Sequence, residues 1–323
     1  MAACNGGDKA TVKPAAVESP SVAPTASPTP APVALDALTG STETGGPVVA
    51  VKIDNAPLAR PYQKGIGRAS VVYQELVEGG LTRFLAIYEV KQAGSDDVGP
   101  VRSARESDVN VLRAYDDPPL AFSGANKGVL AIFRSAQAAG WLKDGSYDDD
   151  SRIYRLGAQR RDARNFFVDL TKLSALNAGN AAKDVGFTFG ATAPTTGLPT
   201  PHAVASFSSF SHVGLTYSAA TKTWSVTQNG TPMTGVAPSN VIVQRVVIQG
   251  SRFVDVHGQP TPYTKTTGSG SVTILRDGQR LTGTWKRTGF GATRFYNAAG
   301  KQIALRPGKT MVLLVPTSGS LTF

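Results

Sequence analysis

A single cysteine, Cys4, occurs in 323 residues. One thiol cannot close an intrachain disulfide or build a thiolate zinc cluster, and its place in a tail removes cysteine catalysis from any folded site. No apolar run approaches the roughly 20 residues needed to span a bilayer, which excludes an integral helical membrane protein. The collagen and coiled-coil repeats are missing as well. Charged residues make up 17 % of the chain, a low share for a cytosolic enzyme. The three histidines, His202, His212 and His257, never stand at i, i+4 spacing, so they read as turn or strand residues rather than metal ligands. Gly308-Lys309-Thr310 lacks the earlier glycine of a phosphate loop, because position 303 is Ile, and Pro307 removes a backbone donor. A Gly-x-Ser-x-Gly elbow is absent, and nothing points to a Ser/His/Asp site assembled from distant segments. No metal and no cofactor are expected.

What is present is a 41 % apolar share, enough for a core, in a length that allows two domains. The net charge of +10 is unevenly placed: residues 201–323 hold twelve lysines and arginines against only Asp255 and Asp277. A field of that sign attracts polyanions or an anionic membrane face and says nothing of the fold.

Residues 1–45 read as a tail. From Ala10 to Pro47 the chain is mostly Ala, Pro, Ser, Thr and Val, with prolines at 14, 20, 24, 28, 30 and 32. Such a stretch cannot offset its ordering entropy by burial and is expected to stay extended and solvated. At about 3.1 Å per residue it reaches roughly 120 Å at most. Cys4, after small residues and ahead of this linker, resembles a bacterial lipoprotein processing site. That reading gives Cys4 a diacylglycerol thioether, added around removal of a signal peptide, with palmitate-type acylation.

Residues 46–200 read as a mixed α/β layered domain. Val48–Ile53, Val71–Tyr73, Phe84–Val90 and Leu120–Ser123 are strand candidates. Ser103-Ala104-Arg105-Glu106 has the form of a capping box, and Val109, Leu112 and Tyr115 behind it share a helical face. Val129, Ile132, Phe133 and Ala136 give a second helix, and Val168–Leu176 a third. Gly190–Pro201 reads as a linker. Residues 201–323 are expected to be mostly antiparallel β, with hairpin turns at Asn229-Gly230 and Asp277-Gly278 and strands at Val241–Ile248, Val272–Leu275, Arg294–Tyr296 and Met311–Val315. The fold class is therefore mixed α+β, an α/β layered amino-terminal domain followed by a basic β-rich one.

One segment has chemical promise. Gly99–Arg105 ends a strand-like stretch and opens the capped helix, where free amides and guanidinium forks favour an anion. The candidate anion-binding set is Arg60, Arg83, Arg102, Ser103 and Arg105. The alternative is that Arg102 and Arg105 pair with Glu75 and Glu78 and hold the fold. Asp54, Glu75 and Glu78 are the candidate catalytic carboxylates. If Glu75 and Glu78 shared a helical face, mutual repulsion could make one a general acid; on a strand they are partners for the arginines.

Several blocks carry a family likeness: Val49–Asn55, Ala59-Arg60-Pro61, Ala69–Tyr73, Glu78–Phe84 and Gly99–Arg105. With Val213–Trp224, Asn240–Val247, Gly283–Lys286 and Pro307–Thr310, they resemble the YerB-type lipoproteins, a two-domain group of Gram-positive envelope proteins of unknown function. The chain departs from that pattern at Phe122-Ser123-Gly124-Ala125, where relatives have a His-Gly-Gly-like stretch, and at Ala163-Arg164-Asn165, where they have Pro-His-Asn. The resemblance implies location and architecture and brings no activity. The expected function is a lipid-anchored protein on the extracytoplasmic face of the plasma membrane, held there through Cys4. It is expected to be non-catalytic and to bind an anionic cell-wall polymer or an envelope protein. The alternative is a hydrolase acting on a cell-wall or phosphoester substrate through the carboxylate and arginine site. Nucleic acid is not the expected partner, since Trp224, Trp285, Phe290, Phe295 and Tyr296 also serve as core.

Overall fold

The computed structural model describes residues 1, 6–8, 10–11, 35–94, 97–157, 165–177, 180–254, 258 and 260–323. Cys4, Asp255, His257 and the Ala163-Arg164 pair lie outside the described residues, as does most of the stretch from Ala10 to Pro47. Residues Ala34–Phe323 form one compact unit. Among the described residues no helix is long and apolar enough to cross a membrane.

The strands of the amino-terminal half include β1 (Val48–Asp54), β2 (Val71–Leu76), β3 (Thr82–Glu89) and β4 (Asp97–Val101). Every residue of β1 is buried, so both of its faces are covered. Val49, Val51 and Ile53 enter one apolar core and Val48 and Ala50 the other. By the two-residue period of a strand, Lys52 and Asp54 share the second face. β3 lies between β1 and β2, antiparallel to both, with Arg83 opposite Asp54 on one side and Glu75 on the other. The helices are short: α1 (Val90–Ala93), α2 (Glu106–Leu112), α3 (Lys127–Ala138) and α4 (Leu170–Ser174).

The strand Thr310–Pro316 runs parallel to β2 on one side and to Asn240–Val254 on the other, which joins the two halves of the sequence into one sheet. The remaining pairings of Asn240–Val254, with Pro260–Lys265 and Gly268–Arg276, are antiparallel. A second, five-stranded sheet orders Thr231–Pro232, Thr223–Gln228, Ser211–Ser218, His202–Ser208 and Ser320–Thr322. The protein is thus mostly β with a mixed main sheet. Both hairpin turns occur where Asn-Gly and Asp-Gly stand; Asn229, Gly230, Asp277 and Gly278 all take positive φ, as such turns require. Trp224, Trp285 and Phe295 are core residues, while Phe290 is exposed.

Four details differ from the sequence reading. Packing begins nine residues before 45: Leu38 is fully buried, and Asp36 accepts hydrogen bonds from the amides of Leu38 (3.0 Å), Thr39 (2.8 Å) and Gly45 (3.3 Å). One apolar side chain plus a capping carboxylate is enough to hold a segment whose composition resembles the linker. The α2 cap is shifted by two residues, because the Asp108 carboxylate accepts from the Arg105 amide (2.7 Å) and Ser103 instead donates to the Ser123 carbonyl (3.2 Å). Val168 belongs to the strand Phe166–Asp169, and Asp169 caps α4 by accepting from the amides of Thr171 and Lys172. Within 190–201, Leu198–Pro199 pairs with the strand Gln279–Arg287.

Candidate functional site

The predicted site residues separate into two places. The first is an ion-paired cluster under α2. Lys52, fully buried on β1, donates to Glu75 on β2 and to Asp108 on α2, the latter at 2.7 Å. Ser107 donates to the other oxygen of Glu75. Arg102 faces Asp54 at 3.2 Å, and Arg105 pairs with Glu78 at the turn after β2. Arg83 donates to the Ser103 carbonyl at 2.9 Å, and Arg105 to the carbonyls of Ser103 (3.3 Å) and Ala104 (2.9 Å). Four cations, Lys52, Arg83, Arg102 and Arg105, therefore interleave with four carboxyls, Asp54, Glu75, Glu78 and Asp108. The turn that positions Glu78 uses Gly79 and Gly80 at φ of 67° and 70°. A side chain at Gly80 would meet Phe210 at 3.0 Å and Ser208 at 3.1 Å.

The electrostatics of this cluster follow from burial. Burial raises Glu75, but Lys52 and the hydroxyl of Ser107 outweigh it, so Glu75 stays below its ordinary value. Asp108 is pushed up to about 7, first by burial and then by the charge of Glu75, against the pull of Lys52. Burial, with Arg105 second, draws Arg83 below its usual value. Taking such a set out of water is costly, and the pairing is what makes the burial tolerable. Each of the three carboxylates singled out from the sequence, Asp54, Glu75 and Glu78, faces a cation.

The second place holds Arg60. A cleft of about 770 Å³ opens between the turns around residues 57–68 and the Gln228–Val236 segment of the carboxy-terminal half. Arg60, Gln63 and Arg68 stand on one wall and Gln228, Met233 and Val236 on the other. None of the residues lining it is an aspartate or glutamate. Arg60 Nε donates to the Asn55 carbonyl at 3.2 Å, and among the described residues no acidic side chain pairs with Arg60. Burial alone lowers Arg60 from its ordinary value. Arg68 is held by the Ala93 carbonyl at 2.8 Å. Lys309 reaches the same wall, donating to the Gly67 carbonyl at 2.6 Å, and burial followed by the charge of Arg68 lowers its pKa. The floor is a chain of amides. Gln63 donates to the Asp54 carbonyl (2.7 Å), and Gln228 accepts from Asn55 (3.1 Å) and Gln74 (2.8 Å). The walls meet at Gly67, where a Cβ would lie 1.9 Å from the Gly235 carbonyl oxygen, so only glycine allows this approach.

The structure therefore brings Arg83, Arg102, Ser103 and Arg105 together with Asp54, Glu75 and Glu78, and sets Arg60 apart in the cleft. Sequence reasoning missed Lys52, Ser107 and Asp108 in the cluster and Gln63, Arg68 and Gln228 in the cleft. One signal was available: a lone lysine inside the apolar run Val48–Ile53 has to find a buried partner. Among the described residues no group of three or more His, Cys, Asp or Glu side chains is arranged to hold a metal ion.

Comparison with known proteins agrees with the two-part reading. The "Putative lipoprotein YerB" of Bacillus subtilis (strain 168) is 47 % identical over 68 residues, 21 % of this chain and 20 % of that protein, so the match spans about a fifth of the relative's length. A crystal structure of YerB protein from Bacillus subtilis superimposes with a TM-score of 0.73 at 22 % identity, covering 90 % of this chain and all of the other, which shows the shared fold. Residues 36–185 match the family described as the N-terminal domain, and residues 203–312 that described as the C-terminal domain, of proteins of unknown function DUF3048. The chain belongs to the DUF3048 family.

Proposed function

We propose that this protein is a lipid-anchored, non-catalytic binding module of the Gram-positive cell envelope that takes an anionic wall polymer in the cleft between Arg60 and Gln228. The observation that carries the binding reading is the contrast in pairing. Arg60 stands on a large cleft whose walls carry no carboxylate, whereas Arg102 and Arg105 are neutralised by acids. A cleft of this volume accommodates a ligand larger than a single ion. Guanidinium forks meet phosphate and carboxylate oxygens well, and the +10 balance of residues 201–323 attracts polyanions to the protein. The non-catalytic reading is supported by Asp54, Glu75 and Glu78 each facing a cation; a hydrolase would need one of them released. The envelope reading is supported by the stalk composition, by Cys4 at its head and by the name of the Bacillus relative. An envelope protein partner in place of a polymer would use the same cleft.

The test is retention of the full chain on immobilised poly(glycerol phosphate), peptidoglycan and single-stranded DNA as salt is raised. The polymer column is expected to retain the wild type at low salt and release it as salt rises, with Arg60→Glu eluting at the front. No retention, or equal retention of the variant, would overturn the binding reading. Cys4→Ala in cells is expected to release the protein to the medium or leave it unprocessed; a processed variant that fractionates with the membrane as the wild type does contradicts the anchor.

A further inference from the structure

We infer that the seam cleft is one end of a track for a repeating phosphodiester chain, and not a pocket for one isolated anion. This rests on the anion-binding reading above and adds the form of the ligand. A second, smaller cleft of about 180 Å³ adjoins the first and shares two wall residues with it, Pro61 and Gln63. Its other residues include Tyr62, Lys64, Arg155 and Asn165, and again none is acidic. The single turn Arg60–Tyr62 thus contributes to both clefts, with Arg60 in one and Lys64 in the other.

The cations of the second cleft differ in availability. Arg155 is committed to Asp97. Lys64 is exposed, lies 5.9 Å above the centre of the Phe167 ring, and among the described residues has no acidic partner. Arg60 and Lys64 are four residues apart, and backbone reach limits their Cα atoms to about 14 Å. The two cations stand in separate clefts, so a ligand that fills both extends across the turn between them, as a polymer of a few repeats does. Between the two cations sits the Gln63 amide, already held by the Asp54 carbonyl and the Asn55 side chain, so the wall it presents is fixed. A row of cation, amide and cation along an acid-free surface matches a chain in which charged phosphates alternate with neutral oxygen-bearing linkers. Arginine offers a planar fork and lysine a point charge, and both suit a phosphodiester.

The experiment compares short and long oligo(glycerol phosphate) binding to the full chain by calorimetry at several salt concentrations. The long oligomer is expected to bind at least about tenfold more tightly per molecule, through simultaneous engagement of the two clefts. Its affinity should also fall more steeply with salt, by about one further unit of slope per additional phosphate engaged. Lys64→Glu should collapse the ratio between long and short oligomers, and Arg60→Glu should weaken both. Arg152→Ala, a change at an exposed residue outside both clefts, serves as the control. Equal affinity for short and long oligomers, or a ratio unchanged by Lys64→Glu, would overturn the track while leaving the seam cleft as an anion site. Binding of polyglutamate as tight as that of the long oligomer would overturn the phosphodiester assignment. Failure of both oligomers to bind would overturn the underlying reading itself.

Discussion

The cluster under α2 and the seam cleft both carry basic side chains and differ in what surrounds them. Beneath α2, Lys52, Arg102 and Arg105 each meet a carboxylate, and the charge is consumed inside the fold. At the cleft, Arg60 is anchored through its Nε to a carbonyl and leaves the rest of its fork on an acid-free wall. The lesson is that an arginine in a promising sequence segment is defined by its acidic neighbours. Asp54 illustrates this from both sides: its carboxylate neutralises Arg102, while its carbonyl holds Gln63 at the cleft floor.

The comparison can be broken most forcefully at Lys52. Lys52→Met leaves Glu75 and Asp108 buried without their shared cation and is expected to cost about 3–5 kcal/mol, read by urea unfolding. A cost under about 1 kcal/mol would show that the cluster is not what holds β1 to α2. Next in size is Leu38→Ala, expected to cost about 2–4 kcal/mol, because it removes a fully buried side chain from the segment ahead of β1. Arg60→Glu should act oppositely, leaving unfolding within about 0.5 kcal/mol of wild type while lowering polyanion affinity at least about tenfold.

The smallest effect at neutral pH is expected from Glu89→Gln. Burial, followed by its hydrogen bond to Asp36, pushes Glu89 up to about 8 from an ordinary 4.5, and Ser70 donates to it at 2.7 Å. The folded chain therefore holds a proton that the unfolded chain releases above 4.5, and the stability contributed by this group falls as pH rises from there toward 8. Asp36 remains ionised, kept below its usual value by the Glu89 and Thr39 hydrogen bonds against the cost of burial. Thermal melts from pH 5 to 8.5 should show a flatter profile for Glu89→Gln than for wild type. Parallel profiles would contradict the shared proton.

Strands and hairpins were legible because their signals are local. The apolar run of β1 and the Asn-Gly and Asp-Gly turns each fix a backbone without reference to distant residues. Val168 was misread as helical because a short apolar stretch fits either period until the capping Asp169 is placed. Leu38 was missed because one core residue in a proline- and threonine-rich tail leaves no pattern. The cluster was half visible: the arginines and Glu78 were in hand, but that Glu75 would choose Lys52 depends on a register between β1, β3 and β2 that no local signal specifies. The cleft was least visible, since Arg60 and Gln228 are 168 positions apart and meet only because Thr310–Pro316 ties the two halves into one sheet.

Methionine supplies the most direct test of where the ligand binds. The chain has three, and Met233 lines the cleft while Met311 is buried in the core. With ¹³C-methyl methionine in the full chain, addition of oligo(glycerol phosphate) is predicted to shift the Met233 resonance and leave Met311 unmoved, and Arg60→Glu should abolish the shift. A saturable binding event that leaves the Met233 resonance unchanged would contradict the account.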